Sequence, residues 1–312
     1  MKKPRHIQLL SIGDGLENGG YTFHAGFPRI DNFINTKGDL IALSNDLSLQ
    51  AANTIIISEF ASGSYQKINI HKDSIALDQF IIKRVKTSIY QSHFQYPKCS
   101  FTKIKQRVEA FIESHHTLFP AGSLLEMIIK NKLPQETPSA FDEALHQAFE
   151  HAFSLFEENF FDSISRFRGR GHGLTPAGDD FIAGVLYGIH CLEATENQNL
   201  AHIKNRVFDI STGKNPFSNT MMKMALETRY FKRLKDFLQA FFFWNGKDLK
   251  DVFNRLISTG HTSGADLLTG YFSVFLHKPV SPLLKVEKTP QIHRFQYLVL
   301  FILLNMSALK FL

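Results

Sequence analysis

Near residue 101 the hydrophobic period of this 312-residue chain changes from two to about 3.6, so one regular class of fold cannot serve both halves. Before the change, Tyr21-Thr22-Phe23-His24-Ala25 alternates, and Phe33-Ile34-Asn35 and Leu40-Ile41-Ala42-Leu43 flank a hairpin turn at Thr36-Lys37-Gly38-Asp39. Thr54-Ile55-Ile56-Ile57-Ser58 reads as a strand buried on both faces, and residues 67–70 and 80–85 as further strands. After it, Phe101, Ile104, Val108, Phe111 and Ile112 recur at helical spacing, as do Leu124, Leu125, Ile128 and Ile129. Pro134 and Pro138 mark a linker. Beyond it Leu145, Phe149, Ala152, Phe156, Phe160, Ile164 and Phe167 form one stripe, which predicts a single long helix with a core face. Helices are expected over 181–191, 220–228, 231–243, 249–257, 265–276 and 291–312. The expectation is an α+β chain: a β-rich domain at 1–130, a linker at 131–140 and a helical domain at 141–312.

Composition narrows the class further. Hydrophobic residues at 44% and charged residues at 21% are those of a globular protein, and 30 Phe against one Trp predict a phenylalanine-rich core. The surplus of 35 Lys and Arg over 29 Asp and Glu gives +6, without the basic block of a nucleic-acid patch. It suits a small anion. Cys99 and Cys191 lack CxxC spacing, which argues against a disulfide framework or a cysteine zinc site. The apolar stretch after the basic start is too short for a secretory signal, and the run 298–304 falls far short of the roughly 20 residues of a spanning helix. It reads as core or interface, and the chain as cytoplasmic.

Chemistry concentrates in Gly169-Arg170-Gly171-His172-Gly173-Leu174-Thr175-Pro176-Ala177-Gly178-Asp179-Asp180. Alternating glycines permit positive φ, and Thr175-Pro176 reads as an N-cap followed by the first helical residue. A helix N-terminus with Arg168 and Arg170 beside it favours a phosphate or carboxylate. Asp179 and Asp180 lie about 100° apart on that helix, so one can hold the loop while the other accepts a hydrogen bond from an amide NH2 or holds Mg2+. Gly184, on the face of Asp180, allows another backbone to approach. Gly260-His261-Thr262-Ser263-Gly264-Ala265-Asp266, followed by Gly270, repeats this order with one residue deleted, with Thr262 or Ser263 as N-cap. The expectation is that both loops face one cleft. A third polar segment, residues 210–220, has the composition of an ordinary connection, capped by Ser218 or Asn219.

The pair of motifs resembles the AllH-type subunit of oxamate carbamoyltransferase, a family long catalogued as a domain of unknown function. The likeness is close over about 165–275 and otherwise confined to 33–58. It implies a cytoplasmic enzyme of purine and allantoin catabolism that works with an FdrA-like subunit and a third subunit, interconverting oxamate plus carbamoyl phosphate with oxalurate plus phosphate. Under it, His172, Asp180, His261 and Asp266 are the catalytic candidates. Arg170, Gly171, Gly173, Thr175, Gly178, Asp179, Thr262, Ser263 and Gly264 are the substrate-binding ones. Two positions depart from the family: Ala177 replaces its usual serine, and Arg170 a small or apolar residue. No cofactor is required; an alternative reading uses Asp179, Asp180 and Asp266 as Mg2+ ligands of a phosphate-dependent enzyme. Another makes the chain a non-catalytic scaffold or regulatory subunit. Neither nucleic acid nor membrane is expected as a partner, and a homo-oligomer is compatible with the apolar stripes.

Overall fold

Among the described residues nine strands form one curled sheet in the order β8-β7-β6-β2-β3-β4-β5-β1-β9. They are β1 (Leu9–Gly13), β2 (Gly19–Phe27), β3 (Ile30–Ile34), β4 (Leu40–Ser44), β5 (Thr54–Ile57), β6 (Lys67–Ile70), β7 (Ser74–Leu77), β8 (Phe80–Lys83) and β9 (Ile89–Tyr90). The computed structural model describes residues 7–84, 88–130, 139–243 and 248–277. Pairing is antiparallel except for β4 with β5 and β1 with β9. The predicted hairpin joins β3 to β4. Asn35 makes its turn: its Oδ1 accepts from the N–H groups of Lys37 and Asp39, each at 2.9 Å, and Gly38 takes φ +88°. The central strands β4 and β5 are buried along their whole length, as a continuous apolar run requires.

Among the described residues ten α-helices follow, completing the α+β arrangement: α1 (Phe101–His115), α2 (Leu124–Lys130), α3 (Ala140–Ser154), α4 (Phe160–Phe167), α5 (Ala177–Glu196), α6 (Ala201–Ser211), α7 (Pro216–Leu226), α8 (Lys232–Phe243), α9 (Leu249–Ile257) and α10 (Ser263–His277). The long helix expected through 145–167 is two. Asn159 N donates to Leu155 O at 2.8 Å, and a turn there ends α3 before α4 begins. The stripe survives the break, because Phe149, Ala152, Phe156, Phe160, Ile164 and Phe167 all enter the same helical core. Ile104, Val108 and Phe111 of α1 and Leu124 and Leu125 of α2 enter it too, while Phe33, Leu43, Ile55, Ile57, Ile68 and Leu77 fill a separate core against the sheet. Three strands (β1, β7, β9) and α6 had no counterpart in the sequence reading. The linker segment 131–138 and the helix expected at 291–312 lie outside the described residues.

The middle of the helical core is the crossing of α5 and α10. Both are apolar nearly all round, which is the pattern of helices enclosed by others rather than facing water. Among the described residues no helix is long and apolar enough to cross a membrane.

Candidate functional site

Each of the two crossing helices is entered through one of the glycine-rich loops. In the first, residues 168–176, Gly169, Gly171 and Gly173 have φ of +67°, +117° and +93°, the left-handed region for which glycine is suited. The helix cap differs from the Thr-Pro reading: Pro176 is the N-cap and Ala177 the first helical residue. In the second loop, residues 258–262, Gly260 takes φ +64°.

Only part of the N–H set expected to cradle an anion is spent on the loops themselves; among the described residues the N–H groups of residues 171–175, 177 and 260–263 make no hydrogen bond. Gly178 N donates to Arg170 O at 2.8 Å, Asp179 N and Asp180 N to Pro176 O at 2.8 and 3.1 Å, and Arg170 N to Phe167 O at 3.1 Å. Ala265 N and Asp266 N both donate to Thr262 O at 2.9 Å, and Gly264 N to Thr259 O at 3.2 Å. Asp179 is a loop holder, its Oδ1 accepting from Gly169 N at 2.6 Å.

What the two loops bring together is hydroxyls and carboxyls. Thr175 Oγ1 lies 3.4 Å from Ser263 Oγ and donates to Asp180 Oδ2 at 3.3 Å. Asp180 and Asp266 are both enclosed, at 1% and 0% exposure. Asp266 Oδ1 accepts from Leu124 N at 2.7 Å, at the start of α2. Its Oδ2 is buried without a hydrogen-bond partner among the described residues. Burial pushes the Asp266 carboxyl up to about 7, against the opposing pull of the Leu124 N–H and the Thr262 hydroxyl. Asp180 is raised well above the ordinary carboxyl range by burial and then by the neighbouring Asp266, with the Ser263 and Thr175 hydroxyls acting against them. Burial favours the protonated form of both carboxyls, and the neighbouring Asp266 reinforces this at Asp180.

Other predicted residues stand apart from this pair. His172 is exposed; its Nε2 lies 3.3 Å from Asp142 Oδ1, and its ring is 5.1 Å from that of Phe141, both on α3. His261 is exposed on the second loop, and Arg170 is half-buried. Arg168 turns away, donating through Nη1 to Ile210 O at 3.3 Å. Asp179, Asp180 and Asp266 do not form a metal-binding group of three; among the described residues no His, Cys, Asp or Glu cluster does.

Two contributors had gone unrecognised. Leu124 supplies a main-chain N–H that nothing in its side chain announces. Asn215, not Ser218 or Asn219, caps α7, accepting from Phe217 N at 3.0 Å, while its Nδ2 donates to Leu174 O of the first loop at 2.6 Å. The Asn215-Pro216 pair, an N-cap followed by proline, was the available signal.

The comparisons fall on this same region. Residues 167–275 match the family model of the oxamate carbamoyltransferase subunit AllH. Over that stretch the chain is similar to the AllH family. No curated protein and no solved structure matches the chain. The AllH segment runs from the last residue of α4 into α10, so it holds both glycine loops, the Asn215 connection and the crossing. Its helical glycines serve the packing. A Cβ on Gly184 would meet Leu267 O at 1.8 Å, and one on Gly270 would meet Phe181 O at 1.9 Å. Each of these contacts lies one residue beyond the opposite aspartate, a reciprocal arrangement that brings Asp180 and Asp266 together. Gly178 and Gly264 likewise abut the main chain of Phe167 and Leu256, at the ends of α4 and α9.

Proposed function

We propose that this chain acts as the AllH-type subunit of an oxamate carbamoyltransferase complex, and that Asp180, Asp266, Thr175 and Ser263 hold the amide end of its substrate. The observation that carries the reading is the buried carboxyl pair with one unpartnered oxygen, Asp266 Oδ2, at the meeting of two loops of the AllH segment. A buried polar atom without a partner costs about 1–3 kcal/mol, which a ligand N–H or C=O would recover.

Carbamoyl transfer forms a bond from the oxamate nitrogen to the carbamoyl carbon and breaks the bond from that carbon to the phosphate oxygen. The nitrogen loses a proton, and the carbonyl oxygen bears negative charge in between. A carboxyl pair that shares protons near pH 7 matches both needs: the ionised member accepts from the amide N–H, and the protonated member donates to the carbonyl oxygen. In this reading Gly171, Gly173, Gly178 and Gly264 shape the loops, Asp179 anchors the first to Gly169, and Arg170 and Thr262 line the approach. His172 and His261, at exposed positions, move protons only in the assembled complex, where the FdrA-like and third subunits cover the loops.

The test is reconstitution of the chain with its partner subunits, followed by measurement of carbamoyl phosphate formed from oxalurate and phosphate. Asp180→Asn and Asp266→Asn are expected to lower kcat by about 10²-fold or more, and Lys72→Ala, on the exposed surface of the sheet half, to leave it unchanged. Full activity in both amide variants would leave the chain a scaffold.

A further inference from the structure

We infer that the cavity between the β3–β4 hairpin and the α6–α7 connection binds a small oxyanion, at a site separate from the glycine loops and independent of the reading above. The cavity measures about 380 Å³, within the range of small-molecule sites. Ile34, Phe208 and Pro216 give it apolar walls, and Lys37, Lys214 and Lys223 surround it, with Asp39 as the carboxylate.

Hydrogen-bond accounting selects the ligand class. Asp39, the cavity's strongest acceptor, is already engaged: it accepts from Lys223 Nζ at 2.8 Å and from Asn35 Nδ2 at 3.1 Å. That pairing lowers the Asp39 carboxyl and raises the Lys223 ammonium, fixing both in their charged forms. Asn219 spends its amide on both sides of Gly213, accepting from the N–H at 2.9 Å and donating to the carbonyl at 2.8 Å. The donors are not spent. Lys223 keeps two N–H bonds beyond Asp39. Lys37 has only a distant ion pair, 3.7 Å to an exposed Glu17, and Lys214 has no ion pair among the described residues. Thr220 Oγ1 accepts from Leu40 N at 3.4 Å and retains its proton. A cavity with three cations, one neutralised carboxylate and surplus donors is complementary to a ligand that only accepts: a phosphoryl or carboxylate anion. The connection that forms one wall also steadies the first glycine loop through Asn215 and Leu174, so an ion seated there would stiffen the neighbour of the amide site without entering it.

Isothermal titration calorimetry on the full chain, with inorganic phosphate and separately with oxalate, tests this. One ion per chain is expected to bind. The double variant Lys37→Ala/Lys214→Ala, which removes two exposed side chains, should weaken binding at least tenfold, and Lys72→Ala and Asp180→Asn should leave it within twofold. The anion that binds more tightly identifies the headgroup. Absence of binding by both anions, undiminished binding in the double variant, or loss of binding in Asp180→Asn would each overturn the assignment, the last by placing the ion at the glycine loops instead.

Discussion

The first loop of the AllH segment, residues 168–176, and the second, residues 258–262, deliver matching aspartates to the same crossing by different means. The first is the longer and carries three left-handed glycines; a carboxylate ties it down, Asp179 onto Gly169 N. At the corresponding place the second unit has Ala265, fully buried, and its short loop needs no side-chain tether. The aspartates themselves divide in the opposite sense. Asp266, on the tighter unit, is anchored by the Leu124 main chain and leaves one oxygen unpartnered, whereas Asp180 meets hydroxyls. One unit thus presents a carboxyl held by the α2 main chain, and the longer loop brings to it a carboxyl held by hydroxyls.

The glycine crossing should show the largest effect. Gly184→Ala and Gly270→Ala force a methyl into a carbonyl oxygen that lies on the rigid backbone of the opposite helix. Each is expected to cost about 4 kcal/mol or more, enough to lose cooperative unfolding in urea. Gly188→Ala, whose Cβ would meet Val274 Cγ2 at 2.8 Å and Tyr271 O at 2.9 Å, should be milder. Equal tolerance of all three would mean that the two units are not locked together at the crossing.

Next in size is the pH dependence of the carboxyl pair. Asp266 holds its proton more tightly in the folded chain, at about 7, than its ordinary 3.8. Its contribution is therefore complete below about pH 4 and lost as pH rises through about 7, by roughly 4 kcal/mol in total. Raised in the same direction, Asp180 adds to the slope. Urea midpoints of the native chain should fall between pH 5 and pH 8, and Asp266→Asn, which keeps an acceptor for Leu124 N and carries no charge, should flatten much of that fall. A native chain equally stable at both pH values would mean that the pair is ionised and solvated.

How far the sequence discloses this follows the same lines. Strands with a clean period of two or an unbroken β-branched run, such as Thr54–Ile57, are legible because both faces are buried. Ser74–Leu77 is four residues long and has only Ile75 and Leu77 to mark its inward face, too little to set a period. The division of α3 from α4 was hidden because the turn before Asn159 keeps Phe156 and Phe160 on the same side of the core, so the stripe reads straight across it. In the site, glycine spacing disclosed the close approach at Gly184 and the meeting of the loops. It did not disclose that the N–H groups of Arg170, Gly178, Asp179 and Asp180 are satisfied within the segment. Their partners are main-chain carbonyls, present at every residue and so invisible in side-chain identity.

Asp179→Ala separates the tethered loop from the untethered one. It leaves Gly169 N without its acceptor, a loss of about 1–2 kcal/mol, and hydrogen exchange over 168–175 should quicken while exchange over 258–262 stays as it was. Acceleration in both loops would mean that they behave as one unit.

The smallest effect asks whether the two loops hold each other at all. Thr175 Oγ1 and Ser263 Oγ, at 3.4 Å, form a long hydrogen bond, and Thr175 is shared with Asp180. Thr175→Val and Ser263→Ala, made singly and together, should therefore show a coupling energy of only about 0.5–1 kcal/mol. Substrate that draws the loops together should raise it, because the hydroxyls would then be fixed by a common guest rather than by each other. A coupling of zero that stays at zero with oxamate and carbamoyl phosphate present would leave the loops energetically separate and the amide site without its second wall. A coupling that grows with ligand ties the longer loop to the shorter one through the molecule between them.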